Sequence, residues 1–454
     1  MKQPTEAGDS TDGIVLTDAG HEWVADLEPG PITTSVAWAS WALFAGLALM
    51  LVGAGIFATL LGVRSELDGF SALEIGLVSA AYYAGFLGGS RLSLRLLGTV
   101  GHIRVYAALA SLLAASMLTS GLVSHPVAWI LLRVATGVCL AGQYVVAESW
   151  LNQLVSNNGR GRLLSLYNVT TVVCYGIGQL WFTQLDPRAI TGFAIAAILV
   201  SIAVAPVALS EDATPPVLTR SSRMTLRELW RMVPTGMVTS VLVGIAHGAF
   251  IGLGAVYGTR SGLSIGAIGV FVAMPTVGGL LLSVPVSSIS DRIDRRLIGA
   301  GAAITALVGG LLLIQFGPAS WVGLVAMAVV GGMTYPLYSI AGAYTNDWVP
   351  SEQLTAAAGQ LVLLYGAGAF TGPIIGSFVM DIVGVAGFGW TTVVTHGAIA
   401  LFLIVRMIQY PAAVRAKPWN EVPLSGRVLY LPATALAMGR RLRPGRRARR
   451  PEGS

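Results

Sequence analysis

The chain has 454 residues, 54% of them hydrophobic and 11% charged, with a mean hydropathy of +0.71 and 56 glycines. A water-soluble globule is excluded, and the composition is that of a polytopic helical membrane protein. The formal charge of +6 comes largely from the C-terminal tail and carries no inference about acidic substrates.

Residues 1–34 hold seven acids against one base, Lys2, and read as a disordered, solvated arm. The first apolar run, 35–63, is far longer than the core of about 7–15 residues in a cleaved signal peptide, so it is expected to be a permanent span. Further apolar runs, each near the ~20 residues that cross the hydrocarbon layer, lie at 72–94, 103–123, 127–150, 163–184, 190–210, 233–258, 264–290, 297–317, 320–345, 354–380 and 388–409. The sequence therefore predicts an all-α membrane protein of twelve spans.

Residues 211–232 interrupt the pattern. Pro215 and Pro216, then Arg227 and Arg231 at helical spacing, predict a linker with a short amphipathic surface helix. It joins two six-helix halves, 35–210 and 233–409. The tail, 410–454, carries seven arginines between Gly439 and Arg450 and is expected to lie on anionic lipid headgroups. Cys139 and Cys174 both fall in spans and read as buried free thiols.

Five of the six residues Asp291, Arg292, Ile293, Asp294, Arg295 and Arg296 are charged, so this stretch is a turn outside the bilayer core. On its side of the membrane lie twelve loop arginines: Arg91, Arg95, Arg104, Arg160, Arg162, Arg220, Arg223, Arg227, Arg231, Arg292, Arg295 and Arg296. The opposite loops hold three, Arg64, Arg188 and Arg260. This asymmetry places the cluster and both termini in the cytoplasm.

Setting Gly76 opposite Gly269 brings Gly98 onto Asp291, and Tyr175-Gly176 then echoes Tyr365-Gly366 after a small gap. Two parallel six-helix repeats are a transporter architecture, in which a site at the repeat interface is exposed to either side by rocking. Ser290 to Arg296 resembles the hallmark cytoplasmic loop motif of the major facilitator superfamily (MFS), and Leu132-Arg133-Val134-Ala135-Thr136-Gly137 resembles its fourth-helix arginine motif. Tyr144 to Asn152, Gly159 to Tyr167 and Pro336 to Asp347 are similar to its YcaD-like branch. The resemblance implies the MFS fold, two pseudo-symmetric six-helix bundles, over about residues 35–410. The sequence departs from the pattern at Gly98, where an acid is usual, and at Ser287, where a glycine is.

An ionised side chain at the centre of a span costs at least ~3 kcal/mol on insertion scales, and few such residues are retained here. Gln143, Tyr144, Tyr175, His247, Tyr335, Tyr338 and Tyr365 are the expected solute cavity, because phenols join an apolar face to a polar tip; packing between helices is the alternative for some of them. Arg133 and His247 are the coupling candidates, with a structural hydrogen bond as the other reading of Arg133 and a buried neutral imidazole as that of His247 and His396. Glu148, Arg162, Asp291, Arg292, Arg295, Arg296 and Asp347 are the expected cytoplasmic gate. In it Asp291 would sit at the start of the fifth span near Arg162, Arg295 or Arg296 would reach Asp347, and Glu148 would find a partner among Arg91, Arg95 and Arg104.

There is no phosphate-binding loop, zinc-protease motif or nucleophile elbow, so enzyme chemistry, a cofactor and a metal are not expected. The functional expectation is proton-coupled efflux of a small organic solute across the plasma membrane by a monomer, with no nucleic-acid partner. Without a charged binding centre, the solute is read as neutral, amphipathic or cationic rather than a polyanion. A metabolite importer or facilitator of the same fold, or a membrane scaffold or receptor acting through its tail, are the alternatives.

Overall fold

The computed structural model describes residues 34–154, 157–209 and 224–410. The acidic arm, most of the linker and the basic tail fall outside the described residues. What is described is helical: α1 (Thr34–Leu67), α2 (Ala72–Val100), α3 (His102–Leu122), α4 (Pro126–Leu154), α5 (Asn157–Trp181), α6 (Thr191–Ile202), α7 (Val204–Ala208), α8 (Leu226–Met232), α9 (Pro234–Arg260), α10 (Ile265–Ser290), α11 (Arg295–Phe316), α12 (Trp321–Trp348), α13 (Leu354–Val383) and α14 (Gly387–Gln409). Helices satisfy every backbone polar group within the segment, which hydrocarbon demands.

Ten helical runs among the described residues are long and apolar enough to cross a membrane. One of them, Ser351–Gln409, contains both α13 and α14, and another, Thr191–Ala208, contains α6 and α7. With α5 they make the twelve crossings of the expected fold. The sixth crossing is broken at Ala203 because Pro206 has no N–H to give and its ring crowds the carbonyl of Ile202.

The repeat is visible at the level of single turns. Gly69 before α2 and Gly262 before α10 both adopt positive φ, 78° and 74°, where a side chain would be strained. Two residues on, the Ser71 and Ser264 side chains cap α2 and α10 by accepting from the backbone N–H of Glu74 and Ala267.

Equivalent helices pack alike in the two halves. α2 lies on α4 as α10 lies on α12, and α1 on α5 as α9 on α13. The last pairing is a backbone-to-backbone crossing in both halves: a Cβ on Gly55 would stand 2.2 Å from the Tyr175 carbonyl oxygen, and one on Gly244 2.2 Å from that of Tyr365. Gly178 and Gly368 press back in the same way on Val52 and Val241. Between the halves, α2 meets α13, α5 meets α10 and α1 meets α9.

The described part of the linker contains the expected surface helix. Thr225 and Glu228 form a capping box at the start of α8, and this pair of hydrogen bonds holds the Glu228 carboxyl below its usual range. Met224 and Leu229 are buried against α9 and α13, while Arg227 and Arg231 face outward.

Candidate functional site

The polar residues of mid-span collect in the cleft between the halves. On the first-half side, the Arg133 guanidinium of α4 lies 4.8 Å from the ring centre of Tyr82 and 5.8 Å from that of Phe57. Its Nε is buried without a hydrogen-bond partner, and among the described residues no carboxylate pairs with it. Tyr83 neighbours Tyr82, Tyr175 and Arg133, and across the cleft Tyr335. Phe86 continues the wall to Tyr144, ring centres 6.2 Å apart.

On the second-half side, the His247 ring of α9 stacks on Phe250 at 5.0 Å and meets Tyr335 edge-on at 5.0 Å. Its Nδ1 is hydrogen-bonded to the Tyr365 hydroxyl of α13, and Tyr365 in turn packs on Tyr338 at 4.6 Å. His247 and the tyrosines at 82, 83, 144, 175, 335, 338 and 365 are all half-buried. That is the accessibility of groups lining a cleft. Thr276 of α10 donates to the Gln179 side chain of α5, 3.2 Å, and joins the two walls.

Two of the expected polar residues stand apart from this surface. Gln143 is fully buried, and neither atom of its amide has a hydrogen-bond partner among the described residues. Glu148 is also fully buried and accepts from the Tyr167 hydroxyl, 3.4 Å, while Arg91, Arg95 and Arg104 are exposed. His396 is buried as a link between helices: Nδ1 donates to the Thr392 carbonyl, and Nε2 lies 2.9 Å from the Thr334 hydroxyl of α12.

At the loop face that carries Asp291, the charges form a compact set inside the second half. Arg295 stands 2.7 Å from Asp291, one turn away, and 2.7 Å from Asp347 at the end of α12. Asp291 is thus engaged by Arg295 of its own half; the expected contact with the start of α5 and Arg162 lies outside the described side chains. Arg292 is exposed. Arg296 turns the other way, to Asp294 at 2.7 Å and to the carbonyls of Arg406 and Tyr410. Donation from the Arg296 side chain holds the Asp294 carboxyl below the usual carboxylate range, and the backbone N–H of Arg296 adds to this.

The opposite face holds a charge set that the sequence reading did not anticipate. Arg260 at the end of α9 lies 2.9 Å from Glu66 at the end of α1 and 3.8 Å from Asp381 at the end of α13. Arg64 pairs with Asp68 and donates to the backbone of Pro187 and Arg188. Nearby, Ser79 of α2 donates to the Gly252 carbonyl of α9, 3.1 Å, and a Cβ on Gly76 would meet Ser377 of α13 at 2.3 Å. Of these, Arg260 with Glu66, Ser79 with Gly252 and Gly76 beside Ser377 join the two halves at that face.

The family model described as Major Facilitator Superfamily matches residues 42–274 and 261–446. Curated relatives include uncharacterized MFS-type transporters of Enterobacter sp. (strain 638) and, under the name YcaD, of Shigella flexneri. Each is 26% identical over 355 residues, covering 75% of this chain and 88% of the relative. Among solved structures, the nucleoside transporter NupG aligns with a TM-score of 0.68 at 14% identity, over 83% of this chain and all of that one. A bacterial homologue of the human lysosomal transporter Spinster, in an inward-facing and unoccupied conformation, aligns at 0.65 and 13% identity, over 87% of this chain and 98% of that one. At such identities the structural likeness speaks for the fold, and the family model reaches through both halves. The chain belongs to the Major Facilitator Superfamily, and it is a multi-pass membrane transporter related to YcaD, not an enzyme.

Proposed function

We propose that this transporter moves a small organic solute by alternating access, coupled to protons and directed outward. The reading rests on one observation: a continuous set of half-buried tyrosines, with His247 among them, spans both halves at mid-depth where the repeats meet. Such a surface suits a solute with both apolar and polar groups. His247 is the proton carrier in this reading, because imidazole titrates near neutral pH and this ring is accessible from the cleft.

The Asp291 face is cytoplasmic, with both termini on that side, on the strength of the twelve-to-three arginine asymmetry of the loops. Asp291, Arg295 and Asp347 act as the cytoplasmic gate, and Arg292, Arg296, Glu148 and Arg162 are assigned to it with them. The hydrogen bonds and ion pairs across the opposite face support a state closed to the outside. The basic tail binds anionic lipid, and the working unit is a monomer.

The test is flux in proteoliposomes, using a solute first found by thermal-shift screening of the purified protein. His247→Gln should abolish the component driven by an imposed pH gradient and retain counterflow, while Glu148→Gln should slow both. Flux that never depends on pH would refute the coupling, and net movement inward under a physiological gradient would refute the direction.

A further inference from the structure

A guanidinium is charged at every pH a cell meets, and it presents donors in a planar fork that matches a carboxylate. Away from water such a charge is retained next to a partner. Arg64, Arg260, Arg295 and Arg296 obey this rule, each standing on an acid of its own chain. Arg406 donates to Thr235 and covers the ring of Tyr410. Arg133 differs. It lies about two turns inside α4, half-buried with its Nε buried and unpartnered, and among the described residues its neighbours are the rings of Tyr82 and Phe57 and the phenols of Tyr83 and Tyr175.

Those rings compensate the charge in part, through their electron-rich faces. They leave the directional capacity of the fork unused. The one carboxylate of α4, Glu148, is about 22 Å away at 1.5 Å rise per residue, buried against Tyr167. No acid of the described chain can reach Arg133. A full counter-charge is left to something that enters the cleft.

We propose that Arg133 is the recognition group for an anionic head, and that the solute is an organic monoanion, a carboxylate, whose flat apolar body lies among Tyr82, Tyr83, Tyr175 and Tyr335. A single cation at the site selects one negative charge and disfavours a polyanion. The same cation, with no acid beside it, repels a cationic solute. The phenols of Tyr83 and Tyr175, both neighbours of Arg133, would donate to the second carboxylate oxygen. This deepens the transporter reading and rests on it for the movement of the solute, but not for its binding. It replaces the expectation of a neutral or cationic solute and gives Arg133 a place in solute binding.

The experiment uses the full chain, purified in detergent, with benzoate, 4-phenylbutyrate and 1-naphthoate, the carboxamide of each, and the amine of the same carbon skeleton. Thermal unfolding is followed for the wild type, Arg133→Gln and Arg133→Lys. The acids should stabilise the wild type at concentrations at least about tenfold below those needed for their amides, and the amines should do less than either. Arg133→Gln should bring acids and amides to parity while melting, without ligand, at or above the wild-type temperature, because an uncompensated charge has been removed. Arg133→Lys should keep part of the preference.

Equal or greater stabilisation by amides or amines would overturn the proposal, as would no stabilisation by any of the three acids at millimolar concentration. Stabilisation by sodium chloride alone to the same extent would also overturn it, since the site would then be one for inorganic anions. So would a lower melting temperature for ligand-free Arg133→Gln with the acid preference intact, which is the signature of a purely structural arginine. Counterflow in proteoliposomes separates the two readings. Arg133-dependent binding of acids without flux would sink the transporter and leave the site standing, whereas flux of neutral solutes indifferent to Arg133→Gln would do the reverse.

Discussion

Arg260 at the end of α9 reaches Glu66 at the end of α1, Nε to Oε2 2.9 Å, and so ties the two six-helix halves together on the face opposite Asp291. Both side chains are about one-fifth exposed, 20% and 23%, so the pair is partly shielded from solvent. A pair of this kind contributes on the order of 1 kcal/mol. Arg260→Gln should therefore raise the population open at that face by up to about fivefold. Spin labels at Leu73 and Ile382, both exposed there, would report it as growth of a longer-distance component. An unchanged distance distribution would show that the packing of Gly76 on Ser377 holds the face closed without help from charge.

Asp294 gives a pH test outside the membrane. Its folded carboxyl titrates below its unfolded value, near 3.9, because it accepts from Arg296 through both side chain and backbone. The stabilisation it provides is complete above about pH 4 and is lost as the pH falls through the depressed folded value. Asp294→Asn can still cap α11 and removes the ion pair with Arg296, so it should lower thermal stability at pH 7 by up to about 1 kcal/mol. The deficit should shrink as the pH is taken below 4. A deficit of constant size down to pH 3 would mean that Asp294 acts by shape and not by charge.

Most of the fold was legible in the sequence, and one half of its closure was not. Span count, the short helix before α9, and the register that sets Gly76 opposite Gly269 all follow from local pattern and internal repetition. The Arg260 to Glu66 pair does not, because the two residues are 194 positions apart and each, alone, is only a charge at the end of a span. Arg295 and Asp347 were legible together since a recognisable loop motif contains one of them. Gln143 shows a further limit: a polar residue at mid-depth on a lining helix was expected in the cleft, but it points into the packed interior of its half. Depth can be counted from a sequence; helix rotation about its axis cannot.

The Tyr365 hydroxyl on His247 Nδ1 makes the phenol part of whatever His247 does. Tyr365→Phe keeps the ring that packs on Tyr338 and removes only the hydrogen bond. The pH-driven component of flux should fall by about an order of magnitude, the usual scale for one partner of a proton-transfer group, while counterflow changes by less than about threefold. Equal loss of both would place Tyr365 in solute binding instead.

Gly244 and Gly301 offer a matched pair of small-to-larger changes. A side chain at Gly244 would meet the Tyr365 carbonyl oxygen at 2.2 Å, whereas nothing stands within 4 Å of a Cβ on Gly301. Gly244→Ala should destabilise by roughly 1–3 kcal/mol, as overpacking does, and should disturb His247 through the shift of α13. Gly301→Ala should be neutral or slightly stabilising, as expected of a helical glycine with room around it. Melting curves of the two variants in the same detergent would decide it, and indistinguishable curves would count against the backbone crossing.

That crossing also determines where the molecule is able to bend. Where backbone rests on backbone, at Gly55 and Gly178 in one half and at Gly244 and Gly368 in the other, no rotamer can relax and no side chain can slide. Each of these two struts transmits force without slack. The play in the mechanism is left to the bearings, α2 against α13 and α5 against α10, where contacts such as Ser377 beside Gly76 and Thr183 beside Gly269 are made by small side chains that can be remade after a tilt. Stiff struts and looser bearings make α1 with α5, and α9 with α13, the pieces expected to move as units.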